Sequence, residues 1–279
     1  MTAQSDHARL FRSLHDAAAP LALANAWDAA SARLVEAAGA RAIATTSAGV
    51  AWSLGAADGD RLDRDQAMAA IARIVASVRV PVTADIESGF GDTAAEVGET
   101  ITHVIAAGAV GVNLEDVHPE SASALRSSIE QVERIAAARA AADATGVPLF
   151  INARIDAFLR SVGAESTRLQ ETLDRARAYL DAGADGIFVP GVVDQTVITA
   201  LTEGIAAPVN MLVEPGSPTV AELSKCGVAR VSLGSAVAEA AYAVVRRTAE
   251  QLITTGTYAT QADSVDYQDF NNLMHPVTP

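Results

Sequence analysis

The stretch AGAVGVNLED, residues 107 to 116, shows how this chain passes from a helix into a strand. A glycine ends an Ala-rich helical segment, a short turn follows, and the apolar run GVNLED finishes on two acids. The same AGA pattern recurs around Gly39 and Gly183. Glycine at such positions can end a helix and lead into a tight turn, so the repetition predicts successive helix and strand units.

Short apolar runs spaced along the chain predict the strands of this repeat. They are LALANA (21 to 26), RAIATTS (41 to 47), VPVTADIE (80 to 87), GVNLED (111 to 116), PLFINARID (148 to 156), GIFVPG (186 to 191), PVNMLV (208 to 213) and ARVSLG (229 to 234). Eight units predict a closed (β/α)8 TIM barrel of the α/β class, because an open doubly wound sheet usually has fewer strands. We expect one barrel domain over residues 1 to 255 and a tail over 256 to 279 that packs on the barrel or on a neighbouring subunit.

Composition limits the classes of partner and the cellular compartment. The 279 residues carry a net charge of -14, which argues against nucleic acid and anionic membranes because phosphate binding needs a basic surface. The sequence has no long uncharged apolar segment, no signal-peptide pattern at its start, and a single cysteine, Cys226. We therefore expect a soluble, cytoplasmic protein. Lys225 is the only lysine, which leaves a Schiff-base mechanism one candidate residue.

Polar residues gather at the carboxyl ends of the predicted strands, where TIM-barrel enzymes carry their catalytic groups. Because side chains alternate along a strand, Asp85 and Glu87 face the same side, and Glu115 ends the next strand. Carboxylates that share a small pocket repel one another unless a cation neutralises them, and an all-oxygen set favours Mg²⁺, with Mn²⁺ as the alternative. Arg154 suits a bidentate clamp on a substrate carboxylate or phosphonate, although an ion pair with neighbouring acids is its alternative role.

Some strand-end acids have a structural alternative. Asp28, Asp116 and Asp156 each precede a helical stretch, and Asp is a preferred helix N-cap. A cap does not require two acids at positions i and i+2, so the pair of Asp85 and Glu87 favours a functional role.

Five segments in this order resemble the isocitrate lyase/phosphoenolpyruvate mutase superfamily. They are TTSAGVAWSLGAADGD (45 to 60), TADIESGFGD (83 to 92), GVNLED (111 to 116), INARIDAF (151 to 158) and PVNML (208 to 212). The resemblance implies a TIM-barrel enzyme that uses Mg²⁺ to act on small 2-oxo or 2-hydroxy acids. It also implies a homotetramer, or a homodimer, in which the last helix is swapped between subunits.

The resemblance assigns a metal-binding role to four acids. Asp85 resembles the direct or nearest ligand, and Asp58, Glu87 and Glu115 resemble acids that hold the metal through water. Glu87 stands where the family has a second Asp, and its longer side chain can still reach a metal-bound water.

A second group of residues resembles the family's substrate-binding site. The carboxylate and carbonyl of a pyruvyl group are expected to contact the loop at Ser47, which can supply backbone N–H groups to a developing oxyanion. The full predicted set is Ser47, Ala48, Gly49, Trp52, Asp85, Arg154 and Asn210.

Departures from the family pattern limit which reactions of the family we expect this chain to catalyse. The C–C lyases of this family place Lys-X-Cys-Gly-His after the fourth strand, with the Cys as general acid/base, whereas this chain has DVHPESASALRSS (116 to 128). Cys226 precedes the eighth strand, at the opposite end of the barrel, and cannot replace it. A histidine suits proton transfer near neutral pH, so we predict His118 as a catalytic residue with Glu115 and Arg154, although a solvated surface histidine is the alternative.

These residues predict a Mg²⁺-dependent lyase or decarboxylase that breaks a C–C bond through a pyruvate-type enolate. Decarboxylation needs only a Lewis acid and a proton source, so it tolerates the missing Cys best. One alternative is C–P chemistry of the phosphonopyruvate hydrolase or carboxyphosphonoenolpyruvate mutase type. The other is a metal-dependent 2-oxo-acid binding protein without turnover.

Overall fold

Parallel strands form a nearly closed barrel in the computed structural model, which describes residues 2 to 118, 121 to 259 and 264 to 275. The strands are β1 Leu21–Leu23, β2 Asn25–Ala26, β3 Ile43–Thr45, β4 Val82–Asp85, β5 Gly111–Glu115, β6 Val117–His118, β7 Ser121–Leu125, β8 Phe150–Arg154, β9 Gly186–Phe188, β10 Val209–Leu212 and β11 Arg230–Ser232. The barrel order is β1-β11-β10-β9-β8-β5-β4-β3-β2, and β6 and β7 form a separate antiparallel pair. The predicted α/β barrel is confirmed.

Helices surround the barrel and connect its strands. They are α1 Ala3–Ser13, α2 Ala29–Ala37, α3 Ser47–Ser53, α4 Arg64–Ser77, α5 Ala94–Ala106, α6 Ser128–Thr145, α7 Glu165–Asp181, α8 Gln195–Gly204, α9 Val220–Lys225, α10 Ala236–Thr255 and α11 Tyr267–Leu273. Their starts follow capping rules: Thr93 and Glu96 form a capping box at α5, where each side chain accepts a backbone N–H that the helix leaves unpaired. Within the described ranges, no helix is both long and apolar enough to span a membrane.

The first barrel strand is split at Ala24 into β1 and β2, which explains why eight predicted strands appear as nine. β1 pairs with β11, whereas β2 pairs with β3. Asn25 joins the two sides of this break: its Oδ1 accepts from the backbone N–H groups of Leu233 and Gly234, and its Nδ2 donates to Thr45 O at 2.9 Å. The amide therefore closes the barrel where the strand ladder is interrupted.

Helix α1 covers the amino-terminal end of the barrel. Phe11 is fully buried and meets the Phe150 ring edge-on, while the His15 ring stacks on Phe150 with centroids 4.0 Å apart. Burial lowers the pKa of His15 to about 3, and the charge of Arg230 adds to this effect. His15 is therefore neutral at physiological pH and serves as an aromatic core residue.

Helix α10 packs on the barrel through a short part of its length. Ala238 is its fully buried residue, whereas Val245, Leu252 and Ile253 are exposed. After this helix, the described part of the tail packs on the barrel of the same chain, because Arg33 of α2 donates to Leu273 O and to His275 O at 3.1 Å. The domain boundary at residue 255 stays a prediction.

Gly49 in α3 is packed too closely to accept a side chain. A Cβ there would lie 2.8 Å from both Thr46 Cγ2 and Trp27 Cβ, and 3.3 Å from Ala238 Cβ. We expect Gly49→Ala to lower the free energy of unfolding by about 1–3 kcal/mol, the usual cost of overpacking a core. Urea unfolding monitored by circular dichroism measures this change.

Gly98 in α5 provides the matched control. A Cβ there would find its nearest neighbour, Ala137 O, at 3.5 Å, which is ordinary contact. Gly98→Ala should be neutral or should stabilise by up to about 1 kcal/mol, because alanine is the better helix former. Equal destabilisation by the two substitutions would contradict the packing argument for Gly49.

Candidate active site

A cavity of about 280 Å³ lies at the carboxyl ends of the barrel strands. Its lining residues are Ser47, Asp58, Gly59, Asp60, Arg61, Glu87, Glu115, Val117, His118, Arg154 and Arg160. Six of the predicted site residues line it: Ser47, Asp58, Glu87, Glu115, His118 and Arg154. The cavity thus brings together acids, arginines and a histidine that are far apart in the sequence.

Asp85 ends strand β4 beside this cavity. Its Oδ2 accepts hydrogen bonds from the Ser47 backbone N at 3.3 Å and the Ser47 Oγ at 3.1 Å, and its own N donates to Thr45 Oγ1 at 2.8 Å. Burial raises the pKa of Asp85, the nearby charge of Asp58 raises it further, and Arg154 opposes the shift. The carboxylate is held in place by Ser47 at the start of α3, and no arginine or lysine of the described ranges forms an ion pair with it.

Glu87 is buried two residues beyond the end of β4, where its backbone is left-handed at φ +51°. One carboxylate oxygen accepts from the Gly59 N at 2.8 Å and from the Asp60 N. Burial raises the pKa of Glu87 to about 8 despite these hydrogen bonds, and the neighbouring acids Asp60, Asp58 and Asp85 add to the shift. The metal-free site therefore favours the protonated form of Glu87 below that pH.

Arg154 links two acids at the end of strand β8. Its NH1 lies 2.8 Å from Glu115 Oε2, and its Nε and NH2 contact the two oxygens of Asp156 at 2.6 and 2.9 Å. Burial raises the pKa of Glu115, and Arg154 is the main opposing charge. The ion-pair role of Arg154 is present in the structure, and the guanidinium also lines the cavity, so its clamp role stays a prediction.

The helix-cap alternative holds for one of the three acids to which it applied. Asp28 caps α2, where its side chain and that of Ser31 form a capping box. For Asp116 the cap prediction is wrong: its carboxylate is fully buried and accepts from the Asp156 N at 3.0 Å and the Tyr179 OH at 2.9 Å. It is also wrong for Asp156, whose carboxylate binds Arg154 instead.

An amide cluster occupies the barrel interior at the level of Asp85, which is in register with Asn113. Asn152 Nδ2 donates to Asn113 Oδ1 at 2.9 Å and to Asn210 Oδ1 at 3.2 Å, and Arg230 NH2 donates to Asn113 Oδ1 at 3.2 Å. Burial lowers the pKa of Arg230 to about 9, although the charge of Asp85 opposes this shift. A protonated arginine therefore lies inside the barrel at neutral pH.

Five predicted substrate-binding residues lie outside the cavity lining, and Asp85, described above, is one of them. Ala48 and Gly49 are buried in the first turn of α3, and the amide of Asn210 is occupied within the amide cluster. Trp52 is 38% exposed and lies with its ring centroid 6.2 Å from that of Tyr242 on α10. Their contact with substrate stays a prediction.

Four charged residues of this region are not among the site residues predicted from the sequence. Asp60, Arg61 and Arg160 line the cavity, and Arg230 enters the amide cluster. Asp60 and Arg61 follow the predicted acid Asp58 in a turn, which was the available signal. For Arg230 the signal was its alternation with apolar residues in ARVSLG, which places it on the inner face of the strand.

The acids suit a divalent cation held largely through water. In the described part of the chain, no group of three or more Asp, Glu, His or Cys side chains is arranged to ligate a metal ion directly. The charges of Asp58 and Asp85 nevertheless raise the pKa of Glu87, and those of Asp85 and Glu87 raise the pKa of Glu115, as expected of carboxylates around one cavity. Separate carboxylates that bind a hydrated ion are typical of Mg²⁺ sites, so the residues fit this cofactor.

We expect the metal-free protein to lose stability as the pH rises from about 6.5 to 8. The pKa of Glu87 is about 8 in the folded chain and about 4.5 when the side chain is exposed in the unfolded chain. Across this pH range the folded state therefore retains a proton that the unfolded state has released. Each rise in pH then favours unfolding. The window begins at 6.5 because His15, neutral in the fold, contributes the opposite slope at lower pH.

Thermal unfolding in EDTA at several pH values measures this effect. Glu87→Gln should reduce the slope above pH 6.5, whereas Glu96→Gln changes an exposed capping carboxylate and should leave the slope unchanged. A wild-type midpoint that stays constant or increases from pH 6.5 to 8 would show that Glu87 is ionised in the fold.

Comparison with known proteins identifies the family. Residues 11 to 253 match the family model described as phosphoenolpyruvate phosphomutase. An uncharacterised protein from Mycobacterium tuberculosis is 39% identical over 271 residues, which cover 93% of this chain and 97% of the relative. The 2-methylisocitrate lyase of Salmonella typhimurium is 30% identical over 267 residues, which cover 92% of this chain and 87% of the lyase.

Solved structures agree with this assignment. A Burkholderia cenocepacia protein provisionally named a phosphonomutase is 47% identical, with a TM-score of 0.85 over 88% of this chain and 100% of that one. A phosphonopyruvate hydrolase in complex with oxalate and Mg²⁺ is 25% identical, with a TM-score of 0.81 over 96% of this chain and 94% of that one. This chain belongs to the isocitrate lyase/phosphoenolpyruvate mutase superfamily and is an enzyme of its lyase and mutase class.

Proposed function

We propose that this enzyme is a Mg²⁺-dependent lyase or decarboxylase that acts on a 2-oxo or 2-hydroxy acid and breaks a C–C bond through a pyruvate-type enolate. The observation that carries the proposal is the convergence of Asp58, Glu87, Glu115 and Arg154 on one cavity beside Asp85. In such a site the carboxylates can bind a hard metal ion, and the Arg154 guanidinium can bind a substrate carboxylate.

The four acids would hold Mg²⁺, with Mn²⁺ as the alternative ion. Asp85 would be the nearest ligand, and Asp58, Glu87 and Glu115 would bind through water. When bound, the ion would act as a Lewis acid on the substrate carbonyl. The complex of the related phosphonopyruvate hydrolase with oxalate and Mg²⁺ supports this choice of cofactor.

Arginine and serine groups would bind and orient the substrate. Arg154 is fixed on two sides by acids, so its remaining donor capacity can meet a substrate carboxylate in one orientation. The Ser47 N–H and hydroxyl donate to the Asp85 carboxylate. An oxyanion that develops on a substrate bound beside Asp85 would lie close to these two donors. Arg61 and Arg160 add positive charge to the cavity wall and suit a second anionic group on the substrate.

His118 and Glu115 are the proposed sources of the proton that quenches the enolate. Both line the cavity in which the enolate would form. The loop at residues 116 to 128 has no cysteine, so the thiol step of the C–C lyases has no counterpart there. Of the candidate reactions, decarboxylation of an oxaloacetate-like acid requires the fewest catalytic groups from this loop.

C–P chemistry is the second candidate function. It is favoured by the 47% identity to the protein provisionally named a phosphonomutase, which exceeds the identity to the 2-methylisocitrate lyase. The arginines of the cavity would suit a phosphonate as well as a carboxylate. A metal-dependent 2-oxo-acid binding protein would share the same groups without turnover.

Pyruvate release measured with a coupled lactate dehydrogenase tests these candidates. The substrates are oxaloacetate, phosphonopyruvate, 2-methylisocitrate and 2,3-dimethylmalate, each with Mg²⁺ and with EDTA. Metal-dependent turnover of oxaloacetate or a malate derivative supports the leading proposal, and turnover of phosphonopyruvate alone supports the second. Turnover that persists in EDTA would contradict the metal's role, and binding of pyruvate without any turnover would favour a binding protein.

We further propose a cytoplasmic homotetramer or homodimer in which helix α10 or the tail contacts a neighbouring subunit. The exposed Val245, Leu252 and Ile253 support it, because apolar side chains in one exposed helix are typical of an interface. Light scattering after size exclusion measures the mass, and Ile253→Glu should lower it. A monomeric wild-type protein would contradict this proposal.

A further inference from the structure

Arg134 of α6 is a buried arginine that binds one loop of the backbone. It is 1% exposed, and its guanidinium donates to three carbonyl groups: Ser88 O, Gly91 O at 2.8 Å and Asp92 O at 2.9 Å. These carbonyls belong to the turn that follows strand β4 and Glu87. A planar guanidinium with several N–H donors can bind three such acceptors at once.

The turn needs such support because its backbone is unusual. Glu87 has φ +51°, Gly89 +104° and Phe90 +51°. Left-handed conformations are unfavourable for residues other than glycine and persist where surrounding contacts impose them. Arg134 supplies three of these contacts from outside the turn.

The same turn is tied to the loop that carries Asp58. Ser88 Oγ donates to Asp60 Oδ2, while the Gly59 and Asp60 N–H groups donate to Glu87. Each loop therefore holds the other, and Arg134 fixes the pair to α6 through the Ser88 carbonyl.

We propose that Arg134 is a positioning residue that holds Glu87 and Asp58 in the relative placement required for divalent-cation binding. The cation-binding half of this inference rests on the proposed function. The positioning half rests on the contacts of Arg134 alone and extends to the backbone of residues 58 to 60 as well as 88 to 92.

Arg139 on the same helix provides a matched control. Its Nε donates to Gly183 O at 3.0 Å, and its NH1 and NH2 lie 3.2 Å from Leu149 O, at the opposite end of the barrel. Arg134→Lys and Arg139→Lys therefore both replace a carbonyl-binding guanidinium and retain the charge. Arg134→Met is the stronger variant, and the Lys variant keeps the test valid if the Met variant does not fold.

Two measurements are made on each variant: Mn²⁺ binding by electron paramagnetic resonance, and amide hydrogen exchange of residues 58 to 60 and 88 to 92 by mass spectrometry. Arg134→Lys should weaken Mn²⁺ binding by about 10- to 100-fold, the range found for outer-shell residues of metal sites, and should speed exchange in both loops. Arg139→Lys should leave Mn²⁺ binding within about twofold of wild type, since its carbonyl contacts and its ion pairs with Asp143 and Asp185 lie at the end of the barrel away from the cavity.

The outcomes separate the two hypotheses. Unchanged exchange at residues 58 to 60 in Arg134→Lys would overturn the positioning role. Faster exchange with unchanged Mn²⁺ binding would overturn its link to the metal. If the wild-type protein binds no Mn²⁺, the proposed metal function fails, and the exchange comparison of Arg134→Lys with Arg139→Lys alone decides whether Arg134 positions the two loops.

Discussion

Asp85→Ala should abolish Mg²⁺-dependent ligand binding and leave the barrel folded. Asp85 is the proposed nearest ligand, so its loss should exceed the 10- to 100-fold cost typical of outer-shell residues, and we expect a reduction of about 100-fold or more in metal affinity. The fold should survive because the Asp85 side chain accepts its hydrogen bonds from Ser47, a partly exposed residue that lines the cavity. Calorimetric titration with Mg²⁺ and pyruvate measures binding, and circular dichroism checks the fold.

Asp194→Ala is the control for this substitution. Asp194 is an exposed carboxylate that caps α8 by accepting from the Thr196 and Val197 N–H groups. Its loss should cost about 1 kcal/mol of stability, as for other helix caps, without changing metal affinity. Ligand binding in Asp85→Ala equal to that of wild type would refute the metal role of Asp85.

Arg154→Met should destabilise the protein by about 3–5 kcal/mol, the range for removing one partner of a buried ion pair. Arg154 contacts Glu115 and Asp156, both of which are buried, so its removal leaves two carboxylates without this cation. Denaturant unfolding of the metal-free protein measures the loss.

A double-mutant cycle isolates the ion-pair contribution. Arg154→Met combined with Asp156→Asn should be less destabilised than the sum of the two single changes, because the second change removes the charge that the first leaves uncompensated. Additive losses would show that Arg154 and Asp156 are not coupled, so that the loss in Arg154→Met comes from its ion pair with Glu115 and its packing on the Phe188 ring, whose centroid lies 5.7 Å from the guanidinium carbon.

Arg154→Lys separates the structural role from substrate binding. Lysine keeps the charge between the two acids but lacks the planar fork that binds a carboxylate through two donors. A large rise in KM with a stable fold would support the clamp, and unchanged kinetics would limit Arg154 to its ion pairs.

The barrel could be predicted from sequence because its signals are local. Each strand is a short apolar run, and each helix end carries a glycine or a cap, so periodicity identified all eight barrel strands. Their positions at the ends of β4 and β5 also placed Asp85 and Glu115 at the barrel mouth. Glu87 lies beyond β4 with a left-handed backbone, so it reaches the cavity from the turn and not through the strand alternation expected from the sequence. Asp85 and Glu115 were predictable because the carboxyl ends of the strands converge in a TIM barrel regardless of the conformation of the loops.

Residues outside this regular pattern were not predictable in the same way. Arg160 reaches the cavity from an irregular turn, and the sequence does not encode where such a turn points. Arg134 lies in a helix with many polar residues, so the sequence pattern predicts a solvent-facing side chain, whereas the structure buries it. Trp52 was placed by its closeness to Ser47 in sequence, but the helical rotation of α3 turns it towards α10.

The pairing of β1 with β11 has a consequence for how the enzyme is made. All other neighbouring strands of the barrel follow one another along the chain, so a chain emerging from the ribosome can add each strand to the edge left by the one before. The edges of β1 and β10 stay open until β11 is synthesised, and such edges invite pairing with other chains. Arg230 and Ser232 arrive on that same strand, so the interior beside Asp85 is completed only in the step that seals the barrel.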